Sequence, residues 1–255
     1  MPGKALDISL LTTNKISSLD PAEYLIIWPV ASLEQHGPHL PLGTDAILLS
    51  AVVDGVREKL GEDFKGLFLP IERLGKSPEH VSFPGTISLQ SSTLLAIASD
   101  IVSSLSRHGF KSFVFLNSHG GNISILDAVS YDLREIYGVK VYPLFLWKGN
   151  NYDVLLKRVF PDMHDLEIHA ASLETSVMMY LYPELVGEIP PANPAAKIIG
   201  SIPFGWNSLD FGKSGVIGDP SFATAQAGKE LFQFAVDDVC NILRSIVTEL
   251  NTKGM

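Results

Sequence analysis

An apolar run from Tyr24 to Val30, Y-L-I-I-W-P-V, leads directly into a polar stretch that carries Glu34, His36, His39 and Asp45. The run is too short for a comfortable helix and is closed by Pro29, so it reads as a buried strand. Gly37, Pro38, Pro41 and Gly43 punctuate the polar stretch. Such residues break helices, so the acidic and imidazole groups hang on a loop whose path is fixed by restricted dihedrals. Carboxylates and imidazoles gathered at the carboxyl end of a strand suit a divalent cation. Zinc accepts nitrogen and oxygen, and manganese leans toward carboxylate. The plainer alternative is a solvated polar loop that holds two histidines; the segments farther along the chain weigh against it.

The rest of the chain alternates strand and helix. Asp45 to Leu60 reads as a helix ended by Gly61, with Asp45 at its N-cap, and Gly66 to Ile71 as a second strand. Residues 73–90 form a long polar loop containing Ser77, Glu79 and His80, and loops of that length are usually functional. Ser91 or Ser92 is expected to cap an amphipathic helix that reaches Arg107-His108 and stops at Gly109. A third strand, Ser112 to Leu116, opens into Asn117-Ser-His-Gly-Gly-Asn122. A helix to Tyr137, Gly138 and a fourth strand from Lys140 to Leu146 come next. The alternation predicts right-handed crossovers and an α/β fold with a mainly parallel sheet and helices on both faces. Helices are also predicted near Asp153–Val159, from His169 to Leu181 and from Phe222 to Leu250, whereas 187–220, rich in Pro and Gly, predicts no regular element.

At 255 residues, without repeat or linker, the chain is expected to form a single domain over 1–255. One cysteine, Cys240, rules out a disulfide framework and reads as a small packed hydrophobe. No apolar run approaches the ~18 residues of a membrane span, and no charged-then-apolar leader opens the sequence. A cytoplasmic location and no membrane partner are therefore expected. A formal charge of −9 argues against nucleic acid as a partner.

In a parallel sheet, ligands collect at the carboxyl ends of strands near a switch in strand order. The loops 31–44 and 117–122 leave the first and third strands in that sense. A third piece is His169-Ala-Ala-Ser-Leu-Glu-Thr175, where His169 and Glu174 can face one cavity if a helix begins near Ala170. The expected site is Glu34, His36, Asp45, His119 and Glu174. Five ligands exceed what one zinc ion takes and suit two ions about 3.5–4 Å apart that share a carboxylate and a water. Asp45 is the natural bridge: Glu34, Asp45 and His119 would hold one ion, and His36, Asp45 and Glu174 the other. Zinc, manganese and iron all tolerate this mix. Of the remaining histidines, His39 is read as a brace of the loop, His108 as a helix C-terminal cation and His164 as solvated. Ser118 beside His119 is not expected to be a nucleophile, because adjacent side chains rarely face each other.

The strings S-L-E-Q-H-G-P-H-L-P-L-G-T-D at 32–45, F-P-G-T-I-S-L at 83–89, N-S-H-G-G-N at 117–122, H-A-A-S-L-E-T-S at 169–176 and G-V-I-G-D-P at 215–220 resemble the signatures of the creatininase (creatinine amidohydrolase) family. The resemblance implies a three-layer α/β/α fold, a two-metal hydrolase of non-peptide or unusual C–N bonds, and a homo-oligomer, often a hexamer. It implies metal ligation by Glu34, His36, Asp45 and His119, and a proton-transfer role for His169. Creatinine-hydrolysing members carry His-Tyr-Glu where this chain has His119-Gly120-Gly121, and that Glu is one of their ligands. Glu174 is expected to replace it. Those members also place two tryptophans around creatinine; Trp147 matches one, while Asp165 stands where the other would be, so a flat stacking pocket is not expected here. The Gly-Gly form resembles two other branches, a deformylase of a formylaminopyrimidine ribonucleotide in flavin and deazaflavin synthesis and a peptidase of a mycofactocin precursor.

The expected activity is thus hydrolysis of an amide or formamide of a small polar substrate, with a metal-binding scaffold without activity as the alternative from another class. Substrate contacts are expected from Ser77, His80, Gly120, Gly121, Asn122 and Trp147, with backbone N–H groups of 120–122 facing the developing oxyanion. His169 would hand a proton to the departing nitrogen. The loops 147–168 and 187–214 are expected to line the pocket.

Overall fold

The computed structural model describes residues 7–148, 152–163, 168–193 and 205–252. His164 and Asp165 lie outside them. Among the described residues four strands, β1 (Leu25–Val30), β2 (Gly66–Phe68), β3 (Ser112–Asn117) and β4 (Lys140–Phe145), form one sheet in the order β2-β1-β3-β4. All three pairings are parallel. The α-helices that accompany them are α1 (Thr13–Ser17), α2 (Thr44–Leu60), α3 (Ser91–Ser106), α4 (Ile123–Tyr137), α5 (Tyr152–Val159), α6 (Ser172–Leu181) and α7 (Ala225–Thr252). Among the described residues, no helix is long and apolar enough to cross a membrane.

The central strands are apolar on both sides because both are covered. Leu25 and Ile27 of β1 and Val114 and Leu116 of β3 pack with Leu49 and Val52 of α2, Val177 of α6 and Leu231 and Leu243 of α7. Ile26, Trp28 and Val30, alternating with them, join Phe113 and Phe115 against Leu94 and Val102 of α3 and Leu126 and Leu133 of α4. Trp28 meets Phe115 edge to face at 5.2 Å between centroids. The result is an α/β/α sandwich. The chain leaves β1 toward α2 on one face and β3 toward α4 on the other. Where Val30 pairs with Asn117, the two departing loops part and leave a crevice at the carboxyl ends.

Several boundaries differ from expectation, for local reasons. Asp45 does not cap α2: Gly43 is the N-cap, and Asp45 sits buried inside the first turn. Helix α3 is capped by Gln90 in extended conformation, without a side-chain bond, so neither Ser91 nor Ser92 is the cap. Helix α6 starts at Ser172 rather than at His169, because His169 exchanges backbone hydrogen bonds with Ile217 instead. Cys240 is buried on α7, packed as a small hydrophobe.

Helix α7 presses close on α6, and one residue allows it. A Cβ on Gly228 would collide with the backbone carbonyl of Ser176. Gly228→Ala is therefore expected to destabilise the protein by about 1–3 kcal/mol, read as a lower denaturation midpoint. An unchanged midpoint would contradict this packing.

Candidate metal centre

The loop after β1 is built to hold side chains still. Glu34 donates its N–H to the Leu42 carbonyl, closing the loop on itself, and Gln35 donates its N–H to Thr86 Oγ1 in the 73–90 loop. Glu34 and His36 thereby point inward, and both are buried. Asp45 enters from the first turn of α2, His119 from the loop after β3, and His169 and Glu174 from the segment leading into α6. Ala170, between the last two, holds φ +53°, a left-handed conformation costly for a residue with a Cβ. Its N–H donates to Glu174 Oε2 at 2.6 Å, so the strained turn holds His169 and Glu174 on the same cavity.

Three of the imidazoles share one arrangement. His36 Nδ1 lies 3.1 Å from the Glu34 carbonyl oxygen, His169 Nε2 2.6 Å from that of Gln35, and His119 Nε2 3.0 Å from that of Lys76. A carbonyl only accepts, so each of these nitrogens carries the proton, and the opposite nitrogen faces the carboxylates. His36 Nε2 stands 3.8 Å from both Asp45 Oδ1 and Glu174 Oε1. His119 Nδ1 stands 3.1 Å from Glu34 Oε1 and 3.5 Å from Asp45 Oδ2. His169 Nδ1 stands 3.6 Å from Glu34 Oε1. Pinning one nitrogen to orient the other is how proteins prepare imidazoles for metal ions.

The residues brought together fit a cation. Both carboxylate oxygens of Glu34 and the Nε2 of His36 are buried without a hydrogen-bond partner, and groups in that state are costly unless an ion completes them. Among the described residues three groups could hold a metal ion: Glu34, Asp45 and His119; His36, Asp45 and Glu174; and Glu34, His36 and His169. The first two share Asp45, whose Oδ2 takes a hydrogen bond from the Ser32 hydroxyl.

The buried charges shift one another's protonation. Burial works against charge on His36, but Asp45, Glu174 and Glu34 raise it to about 10. Burial likewise opposes charge on His119, which Glu34 and Asp45 nevertheless lift well above its usual range. Glu34, despite its burial, is drawn down to about 2 by His119, and Asp45 is held low, against burial, by His119 and His36. Burial lifts Glu174 to about 7. His169 is pushed well down by burial and, after that, by the neighbouring imidazoles, His36 before His80.

A cavity of about 280 Å³ opens onto this cluster, lined among others by Glu34, Asp45, His119, Gly120, Gly121, Trp147, His169 and Glu174. His80 also lines it. The Gln35 amide, whose oxygen takes the Gly37 N–H, donates to His80 Nδ1 at 2.8 Å, which leaves His80 Nε2 facing Glu34 Oε1 at 3.4 Å. Two expected substrate contacts are elsewhere. Ser77 is buried behind His119, its hydroxyl 3.2 Å from Nε2. Asn122 is fully buried and ties the Ala31 carbonyl, Asn117 and the Lys76 N–H together, while its own N–H goes to the His119 carbonyl. Both shape the loops and neither lines the cavity. His39 joins the β1 loop to α6 through Thr175 Oγ1 at 2.9 Å, and the Ser118 hydroxyl is given to the Asp45 carbonyl.

Sequence reasoning did not find Trp206, Tyr152, Phe145 or Glu79 as cavity walls. Glu79 had a signal, since it adjoins His80; Tyr152 and Trp206 had only their place in loops expected to line the pocket. A Cβ on Gly121 would collide with the Glu79 carboxylate, His119 Nε2 and the Lys76 carbonyl. The position therefore has no room for a side chain, a carboxylate included.

The family model for creatininase, described as creatinine amidohydrolase, matches residues 9–243. The mycofactocin precursor peptide peptidase of Mycolicibacterium smegmatis is 32% identical over 227 residues, covering 87% of this chain and 83% of that protein. The creatinine amidohydrolase of Pseudomonas putida is 34% identical over 176 residues, covering 64% of this chain and 66% of its own. A solved structure of creatininase with Mn is similar with a TM-score of 0.79 at 26% identity, covering 96% of this chain and 99% of that one.

Three substitutions test the geometry. Saturating manganese is expected to stabilise the wild type by about 2.7 kcal/mol at a hundredfold excess over Kd, and Gly121→Ala to lose that gain in a thermal melt, because the methyl displaces His119 or the Lys76 carbonyl. Ala170→Gly, which relieves the left-handed strain, is expected to keep the gain, whereas Ala170→Val costs about 2 kcal/mol or more of stability. A metal-dependent gain that survives Gly121→Ala would contradict the placement of His119.

Proposed function

This chain belongs to the creatininase family, and we propose that it is a hydrolase dependent on two divalent ions that cleaves a C–N bond in an amide or formamide of a small molecule. The observation that carries the reading is the set of imidazoles that each surrender one N–H to a backbone carbonyl and turn the other nitrogen toward buried carboxylates. Glu34, Asp45 and His119 would hold one ion, and His36, Asp45 and Glu174 the other, with Asp45 shared. Zinc, manganese or iron would suit these donors. When bound, such ions acidify water and polarise a carbonyl.

The chain's own groups account for the rest. Gly120 and Gly121 line the cavity, and their backbone N–H groups would serve an oxyanion that develops beside them. His169 presents Nδ1 unprotonated, its other nitrogen held by Gln35. It takes a proton from the attacking water as the new C–O bond forms and passes it to the nitrogen as the C–N bond breaks, work typically worth about 10²–10⁴-fold. Trp147, Phe145 and Leu173 supply an apolar wall that excludes water from the cleaved bond.

The likeness to a peptide peptidase over most of the chain supports a second reading, in which the cleaved amide belongs to a short peptide. A panel of cyclic amides, formamides and short peptides, incubated with manganese- or zinc-loaded protein and read by mass spectrometry, separates the two. Hydrolysis of small amides is expected; cleavage of peptides alone would favour the second reading. Metal analysis tests the ligand set. About two ions per chain are expected for the wild type, about one for Glu174→Gln and almost none for Asp45→Asn. Unchanged content in Glu174→Gln would remove Glu174 from the ligands.

A further inference from the structure

One carboxylate in the cavity has no part in any of the three metal-holding groups. Glu79 sits on the short turn Pro78–His80 of the 73–90 loop, and its side chain is 14% exposed. Its Oε1 lies 3.7 Å from His119 Nε2, a nitrogen whose proton already goes to the Lys76 carbonyl. Its Oε2 lies 4.0 Å from Lys76 Nζ, at the limit of an ion pair. Among the described residues, no donor hydrogen-bonds this carboxylate, whose Oε1 packs against Gly121 so closely that a Cβ there would collide with it, while the side chain still lines the cavity. A largely buried carboxylate in that state calls for a partner that brings N–H donors or positive charge.

The surrounding wall specifies the partner further. Phe145, Trp147, Tyr152 and Trp206 line the same cavity, and none of its described lining residues is Lys or Arg. Trp206 is held in place by edge contacts with Phe211, 5.1 Å between centroids, and His80, 6.5 Å. Aromatic faces beside a carboxylate favour an organic cation, and a lining without Lys or Arg offers an anion little at this end of the cavity. We propose that Glu79 is a specificity-determining residue that receives a protonated amine on the substrate, so that the amide hydrolysed here is cationic. The inference rests on the proposed hydrolase for the word substrate, but the charge preference in binding does not depend on turnover. It also sets the chain apart from an enzyme for a phosphorylated pyrimidine, whose anion would meet Glu79 and the aromatic wall.

Three probes of matched shape test it: 4-aminobutanamide, a cation; pentanamide, its neutral isostere; and 4-carbamoylbutanoate, an anion. Binding to the metal-loaded wild type and to Glu79→Gln is measured by calorimetry near neutral pH, with metal content and hydrolysis followed in parallel. The cation is expected to bind the wild type about tenfold or more tighter than pentanamide, as a charged hydrogen bond supplies, with the anion weakest. In Glu79→Gln that advantage is expected to vanish while pentanamide binds as before and the metal stays. Cation binding no better than pentanamide, including no detectable binding of either, overturns the proposal. So does a variant that weakens both alike with loss of metal, since Glu79 would then act through His119. A charge preference with no hydrolysis of any probe upholds the role of Glu79 in binding and counts against the proposed reaction alone.

Discussion

Everything in the centre depends on three hydrogen bonds that imidazoles give to main-chain carbonyls. By accepting a proton from His36, His169 and His119, the carbonyls of Glu34, Gln35 and Lys76 decide which nitrogen of each ring is left to face the carboxylates. Two of these carbonyls belong to the loop after β1, the loop that also supplies Glu34 and His36 themselves. A floppy connection could not do this, since a rotation of one peptide would turn a carbonyl away and release a ring. The Pro- and Gly-restricted path of that loop, braced by Thr86 and closed through Leu42, is what converts a string of polar residues into fixed donors.

The same arrangement creates a charge problem whose solution is the proposed chemistry. Glu34 and Asp45 are buried, and only imidazole nitrogens face the Glu34 oxygens. Protons on His36 and His119 relieve the excess negative charge in one state of the site. Divalent ions would relieve it in another, since ligating imidazoles must be deprotonated and a metal competes for the same lone pairs. The fold sustains this by placing the cluster at the crevice between β1 and β3, over a core that is apolar on both faces of the sheet.

Much of this was legible in the sequence because strand and helix alternate so regularly. Apolar runs located all four strands and parallel order brought the loops after β1 and β3 together, so Glu34, His36, Asp45 and His119 could be gathered from residues far apart. Glu174 was reached through its spacing to His169, although the helix begins later than expected because His169 pairs with Ile217. What escaped depended on side-chain direction within irregular backbone. Ser77 and Asn122 were expected at the substrate and instead hold loops in place from behind. Asp45 looked like a cap, but Gly43 took that position and freed its carboxylate for the centre. Glu79 and Trp206 become walls only through the path of long loops, which no periodicity encodes.

Anomalous diffraction from a manganese-soaked crystal of the full chain tests the shared-carboxylate centre most directly. Two peaks flanking the Asp45 carboxylate are expected, with His36 engaged through Nε2 and His119 through Nδ1. A single peak away from Asp45, or ligation through His36 Nδ1 or His119 Nε2, would contradict it.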